Sequence, residues 1–160
     1  MVLGKMILIS HRGNITGRDI EKENSPAYIL SALEAGFEVE TDVFYIAGGL
    51  YLGHNSPCYP VELEFLKHEH LWCHAKTPET LIYLRARPEI HSFYHDMDTC
   101  TLTSKGFIWT FNGNLLANTI CVLPEKYFEP EELKICTGIC SDTILTYKGH
   151  YEKIDSNYQL

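Results

Sequence analysis

"KMILISHRGN", residues 5–14, decides how the rest of the chain is read. A run of apolar, strand-forming residues ends in His11 and Arg12, so a buried strand delivers a titratable ring and a fixed positive charge to its carboxyl end. "ENSPAYILSALEAG" (23–36) then predicts a helix: Ser25 as N-cap, Pro26 at the first helical position, Ile29, Leu30 and Leu33 as the apolar stripe, and Gly36 as terminator. A strand, a long turn and a helix follow one another, and the pattern repeats downstream.

"FEVETDVFYI" (37–46) reads as a second strand, turned at "AGG" into "LYLGH" (50–54) as a hairpin. "VELEFLKHEH" (61–70) predicts a short helix, "LWCHAK" (71–76) a third main strand, and "TPETLIYLRARP" (77–88) a helix capped by Thr77 with Pro78 at its start. "IHSFYHD", "GFIWTF", "TICVLP" and "ICTGICSD" supply further buried strands. Alternating β and α signals predict an α/β fold with a mainly parallel sheet covered by helices, open or closed. "EKYFEPEELK" (125–134) reads as an exposed turn into a short helix, and residues 151–160 as a patternless C-terminal tail on a single domain spanning 1–150.

Composition excludes several function classes. With 160 residues and 45% hydrophobic content the chain can bury a core. A formal charge of −8 argues against a phosphate-tracking surface, so neither nucleic acid nor an anionic membrane is an expected partner. The apolar N-terminal stretch is too short for a signal peptide, and no run spans a bilayer, so a cytoplasmic protein without stable membrane insertion is expected. Of Cys58, Cys73, Cys100, Cys121, Cys136 and Cys140, most lie in apolar runs and read as packed thiols, with no second pair to make Cys136 and Cys140 a zinc site.

The chemistry gathers at strand ends, where α/β folds place their ligands. Glu40 and Asp42 are two apart on the second strand and therefore share a face. They suit a hard dication bound with a phosphate ester, or else form the wet side of an edge strand. His54 follows twelve residues after Asp42, on the returning arm of the hairpin. His68 and His70, with Glu69 between them, read as a solvated loop.

These residues resemble the glycerophosphodiester phosphodiesterases, within the wider group of phosphoinositide-phospholipase-C-like phosphodiesterases. The resemblance rests on "HRG" at 11–13, "EN" at 23–24, "ETD" at 40–42 and "HN" at 54–55, in that order, and covers residues 6 to about 56, with fainter likeness at "LWCHAK" and "GICSD". It implies a metal-dependent phosphodiesterase with a TIM-like barrel. His11 and His54 would be the general acid and base, Arg12 and Lys76 the grip on phosphate, and Glu40 with Asp42 the ligands of a divalent cation, Mg²⁺ or Ca²⁺ first. The substrate would be a small glycerol-, sugar- or lipid-headgroup phosphodiester, cleaved to a monoester or through a cyclic phosphate.

Two positions depart from the family pattern. His74 stands where a third metal carboxylate is expected, and an imidazole there favours Mn²⁺ or Zn²⁺, or else is a packed core residue with the metal weakly held. Asn55 replaces the usual Asp; its amide can orient His54 but cannot stabilise an imidazolium as a carboxylate would. Reduced activity, or a phosphate-ester-binding barrel that has lost turnover, is the alternative reading. Because an eight-stranded barrel commonly takes about 250 residues, the expected form is a compact or incomplete barrel. Residues 95–113 cross between strands without a helix, leaving Tyr94, His95, Asp96, Trp109 and Phe111 as candidate mouth residues beside Glu23 and Asn24, and a bare flank that invites a homodimer.

Overall fold

The computed structural model describes residues 6–111 and 113–157. Strand β1 (Ile7–His11) ends at the residues singled out above, and helix α1 (Pro26–Glu34) starts behind Ser25, whose side chain accepts from the Tyr28 N–H. Strand β2 (Glu38–Ile46) turns into β3 (Gly49–Leu52), and β4 (Tyr59–Val61) adds to β3. The four-residue α2 (Leu63–Leu66) leads to β5 (Leu71–Ala75) and to α3 (Pro78–Arg85), capped by the Thr77 side chain at the Thr80 N–H. Next come β6 (Ser92–Phe93), β7 (Cys100–Leu102), β8 (Ile108–Thr110) and β9 (Ile120–Val122). Two 3₁₀ turns, β10 (Gly138–Ser141) and α4 (Ile144–Asn157) complete the order.

The protein is a mixed α/β fold around one curled sheet. Strands β6, β5, β2, β1, β10, β9 and β8 lie side by side in that order and are all parallel, so their carboxyl ends share one edge. The β3–β4 ribbon extends antiparallel from the outer half of β2, and β7 runs antiparallel to β8. Curling brings β6 to the far end of the sheet, where the Ser104 N–H donates to the Ser92 carbonyl at 2.8 Å and the Thr101 hydroxyl to the Tyr94 carbonyl at 2.9 Å.

Alternation along the strands separates two faces. The concave side gathers Ile9, Trp72, Phe93, Trp109, Ile120, Val122 and Cys140 from six strands. Its aromatic centre is tight, with ring centroids of Trp72 and Trp109 5.6 Å apart and those of Phe93 and Trp109 4.6 Å apart. Such pairs contribute about 0.5–1.5 kcal/mol each beyond burial. On the convex side, Ile29 and Ala32 of α1 and Leu84 of α3 cover Val39, Val43 and Cys73, while Ile144 and Tyr147 of α4 cover Cys121 and Ile139.

Several expectations are corrected here. Residues 95–113 contain β7, a strand too short and too polar to show a period, and β4 likewise went unread. Residues 151–157 are not a separate tail but continue α4; 158–160 lie outside the described residues. All six cysteines are free, four of them buried, but Cys58 and Cys100 are exposed because they stand in a loop and on the outward face of β7. Among the described residues no helix is long and apolar enough to cross a membrane.

Gly138 is where β10 meets the concave face most closely: a Cβ there would sit 2.8 Å from Ile7 Cβ and 2.9 Å from Ile120 Cδ1. Gly138→Ala is expected to destabilise the fold by about 1–3 kcal/mol through overpacking. Urea unfolding measures it, and an unchanged midpoint would contradict this packing.

Candidate active site

The parallel array determines which side chains meet. Register pairs His11 with Glu40 and Asp42 with His74 across neighbouring strands. The inward-facing sequence positions at the carboxyl edge therefore converge, while Lys76 follows β5 immediately and His54 follows β3. His11, Arg12, Glu23, Asn24, Glu40 and Asp42 are all buried.

Asp42 is the hub. Its Oδ2 accepts from Asn24 Nδ2 at 3.0 Å, contacts His54 Nδ1 at 3.1 Å and lies 2.9 Å from Arg12 Nε, an ion-pair contact without a well-aimed hydrogen bond. Its Oδ1 lies 3.1 Å from both His74 Nδ1 and Lys76 Nζ. Burial alone would raise the Asp42 pKa, but His54, His74 and Arg12 hold it well below the usual carboxylate range. With Asn24, those neighbours come from four separate chain segments.

Backbone geometry sustains this arrangement. Arg12 and Asn24 both adopt left-handed conformations, with φ of 57° and 63°. The Asn24 N–H donates to the Arg12 carbonyl, and Asn24 Oδ1 accepts from the Thr41 hydroxyl and the Asp42 N–H, each at 2.9 Å. Asn24 thus ties the first long turn to β2. Gly13, at φ 92°, lies so close to Tyr28 that a Cβ would fall 2.7 Å from Tyr28 Cδ1. The "HRG" and "EN" pieces are hence parts of one folded unit.

His11 is held by a residue that the sequence reading did not single out. Its Nδ1 lies 2.7 Å from Asp142 Oδ1, the first residue beyond β10, and its Nε2 lies 3.9 Å from Glu40 Oε2. Asn14 Nδ2 donates to the same Asp142 oxygen and to Glu23 Oε1, each at 2.9 Å. Burial opposes ionisation of Asp142, but the His11 and Asn14 contacts lower its pKa overall. A signal was available in "GICSD": Gly138, Cys140 and Asp142 alternate on one face, which aims an acid at the strand end.

The remaining candidates divide. Glu23 faces Arg12 Nη1 at 3.5 Å and Arg18 Nε at 3.0 Å, so it belongs to the network that positions the guanidinium. His95 stands beside His74, rings parallel and 4.8 Å apart, with its Nδ1 buried and unpartnered. Burial is the largest influence on His95 and pushes its pKa down to about 4. Asn55 is exposed, and the His54 Nδ1 it was expected to orient is taken by Asp42. Trp109, expected at the mouth, is only 2% exposed and packs deeper against Trp72 and Phe93, because its register sets it level with Ile120, Gly138 and Ile7, at the amino end of β1 and away from His11.

Glu40, Asp42 and His74 each offer one ligand atom within 4.8 Å of the others. Glu40 Oε2 and Asp42 Oδ1 are buried acceptors without a directed hydrogen bond, the state expected of oxygens suited to a cation. The donor set therefore fits a dication. No protein-family model, curated protein or solved structure matches the chain.

Without a cation, His74 stands between two acids. Burial opposes its charging, but the contacts to Asp42 at 3.1 Å and Glu40 at 3.6 Å outweigh that and push its pKa up to about 9, from an ordinary 6.5. A raised folded-state value means that the stabilisation is complete below pH 6.5 and lost as pH climbs towards about 9. In chelator-treated protein the denaturation midpoint is expected to fall across that window, and less steeply in His74→Gln. A midpoint with equal pH dependence in both proteins would contradict this.

Proposed function

We propose that the chain is a divalent-metal-dependent phosphodiesterase that cleaves a P–O bond of a small glycerol-, sugar- or lipid-headgroup phosphodiester. The observation that carries this reading is that two imidazoles, each paired with its own carboxylate, reach one buried acidic pair: His11 is held by Asp142 and lies 3.9 Å from Glu40, and His54 is held by Asp42. A protein that only binds phosphate has no need for two oriented imidazoles.

Each carboxylate engages Nδ1, which leaves Nε2 as the working nitrogen. One imidazole removes the proton from the attacking hydroxyl or water as the new O–P bond forms, and the other gives a proton to the departing alkoxide as the old O–P bond breaks. The pair ends with its protons exchanged. Arg12 and Lys76 supply charge-assisted donors for the non-bridging oxygens. Arg12 Nη2 lies 3.4 Å from His54 Nε2, so the phosphate grip and one of the proton carriers face the same space. Glu40, Asp42 and His74 would hold the cation, which when bound offsets charge on the phosphoryl oxygens.

The curled parallel sheet supports the compact, incomplete TIM-like barrel of the glycerophosphodiester phosphodiesterase-like family. Six free thiols suit a reducing compartment and support a cytoplasmic location. A homodimer would use the β7–β8 hairpin, where the paired residues Leu102 and Ile108 are 68% and 41% exposed.

Turnover of bis(p-nitrophenyl) phosphate and of glycerophosphodiesters, with and without chelator and across a metal series, tests the reading. His11→Ala and His54→Ala are each expected to lower kcat by about 10²–10⁴-fold. Asp142→Asn is expected to cost about 100-fold or more with little change in KM, since it removes the acceptor that fixes the His11 tautomer. A folded protein without turnover under any metal would move the reading to the alternative, a phosphate-ester-binding protein.

A further inference from the structure

His74 brings a nitrogen to the buried acidic pair Glu40 and Asp42, and its surroundings determine which nitrogen. His74 Nε2 lies 3.4 Å from the backbone carbonyl of His95, while Nδ1 faces Asp42 Oδ1 at 3.1 Å and Glu40 Oε1 at 3.6 Å. The ring lies parallel to those of Phe93 and His95, at centroid distances of 5.0 and 4.8 Å. The flanking rings fix its plane, and the contact of Nε2 with the His95 carbonyl selects the flip that keeps Nδ1 on the acidic side.

We propose that Glu40, Asp42 and His74 form a mixed oxygen–nitrogen site in which His74 ligates through Nδ1, making it selective for a borderline dication of the Mn²⁺, Co²⁺ or Zn²⁺ class over Mg²⁺ and Ca²⁺. A carbonyl can only accept, so the partner offered by His95 keeps a proton on Nε2, and the proton on Nδ1 is the one that an incoming metal displaces to reach a lone pair. Ligand atoms about 2.1 Å from a common ion are roughly 3.0–3.4 Å apart for angles between octahedral and tetrahedral; Asp42 meets this at 3.1 Å from Nδ1, and Glu40, at 3.6 Å, needs a small inward shift on binding. Glu40 Oε2, in a residue only 2% exposed, has no hydrogen-bond donor of its own. Imidazole suits Mn²⁺, Co²⁺ and Zn²⁺ but contributes little to Ca²⁺ or Mg²⁺, which prefer oxygen.

His95 is thus a positioning residue acting through its backbone, and Phe93 and the His95 ring restrain the imidazole plane. The inference rests on the cation part of the function proposed above and not on the phosphodiester chemistry.

The experiment uses the whole chain, stripped with chelator and labelled with ¹⁵N-histidine. Calorimetric titration with each of Mn²⁺, Co²⁺, Zn²⁺, Mg²⁺ and Ca²⁺ alone is expected to give at least about tenfold tighter binding of the first three. His74→Glu should shrink that margin about tenfold or more by restoring an all-oxygen site, while His74→Ala should weaken the first three more than the last two. In the Zn²⁺-loaded wild type, long-range ¹H–¹⁵N correlation should show the His74 ring metallated at Nδ1 and protonated at Nε2, a signal that binding at surface His68 or His70 cannot imitate. An equal margin in His74→Glu, metallation at Nε2, or an unperturbed His74 would overturn the inference. So would a folded protein that binds no dication, and the cation would then leave the proposed function too; tight, His74-dependent binding without phosphodiester turnover would overturn only that function.

Discussion

A carboxylate that solvent does not reach has to be compensated by nearby charge, and the structure is organised around meeting that condition at Asp42. The side chain is fully buried, and its two oxygens face Arg12 from the turn after β1, His54 from the turn after β3, and His74 and Lys76 from β5 and the residue beyond it. Asn24 adds a neutral donor from the entrance to α1. Five residues scattered over more than fifty positions of sequence are drawn together by one acid. The left-handed backbone at Arg12 and Asn24 follows from this, since the chain must turn sharply twice to bring both side chains over the end of β2.

The concave face beneath explains how so short a chain holds such a site. Trp72, Phe93 and Trp109 fill the layer under His74 and His95 with large rings, so few residues are needed to close the interior. The polar layer then rests on a floor that does not yield, and His74 and His95 inherit the plane of Phe93. Chain economy shows elsewhere, in the crossing from β6 to β8 by an antiparallel strand in place of a helix.

Much of this could be read from the letters. Capping by Ser25 and Thr77 follows from local backbone chemistry, and the parallel run of strands from alternating period, so both helices and the strand order around β1, β2 and β5 were open to inspection. The convergence of His11, Glu40, Asp42 and His74 also follows, since parallel strands bring their ends to one edge, while His54 is returned to it by the antiparallel hairpin of β2 and β3. What stayed hidden depends on partners distant in sequence. Asp142 meets His11 across 131 positions, and nothing local to "CSD" marks it as more than a strand-end acid. Trp109 was placed too high because the point at which β8 ends relative to its neighbours is a matter of tertiary register. The helix α4 was overlooked although Ile144, Tyr147 and Tyr151 recur at i, i+3 and i+7 and pack with Cys121 and Ile139, because polar residues such as Thr146, Lys148 and His150 surround that narrow stripe.

The meeting of β6 with the β7 segment has a mechanical consequence. From β6 through β5, β2, β1 and β10 to β9 the neighbours form backbone ladders and β8 meets β9 at the pair Trp109–Ile120, whereas this junction relies on a few isolated bonds, among them Ser104 to Ser92 and Thr101 to Tyr94. It is a clasp and not a weld. Amide protons along it should be the first of the strand protons to exchange with deuterated solvent, and transient parting there would wet the indoles of Trp72 and Trp109 before any helix is lost. Intrinsic fluorescence would therefore register this partial loosening earlier than far-ultraviolet circular dichroism registers global collapse of the fold.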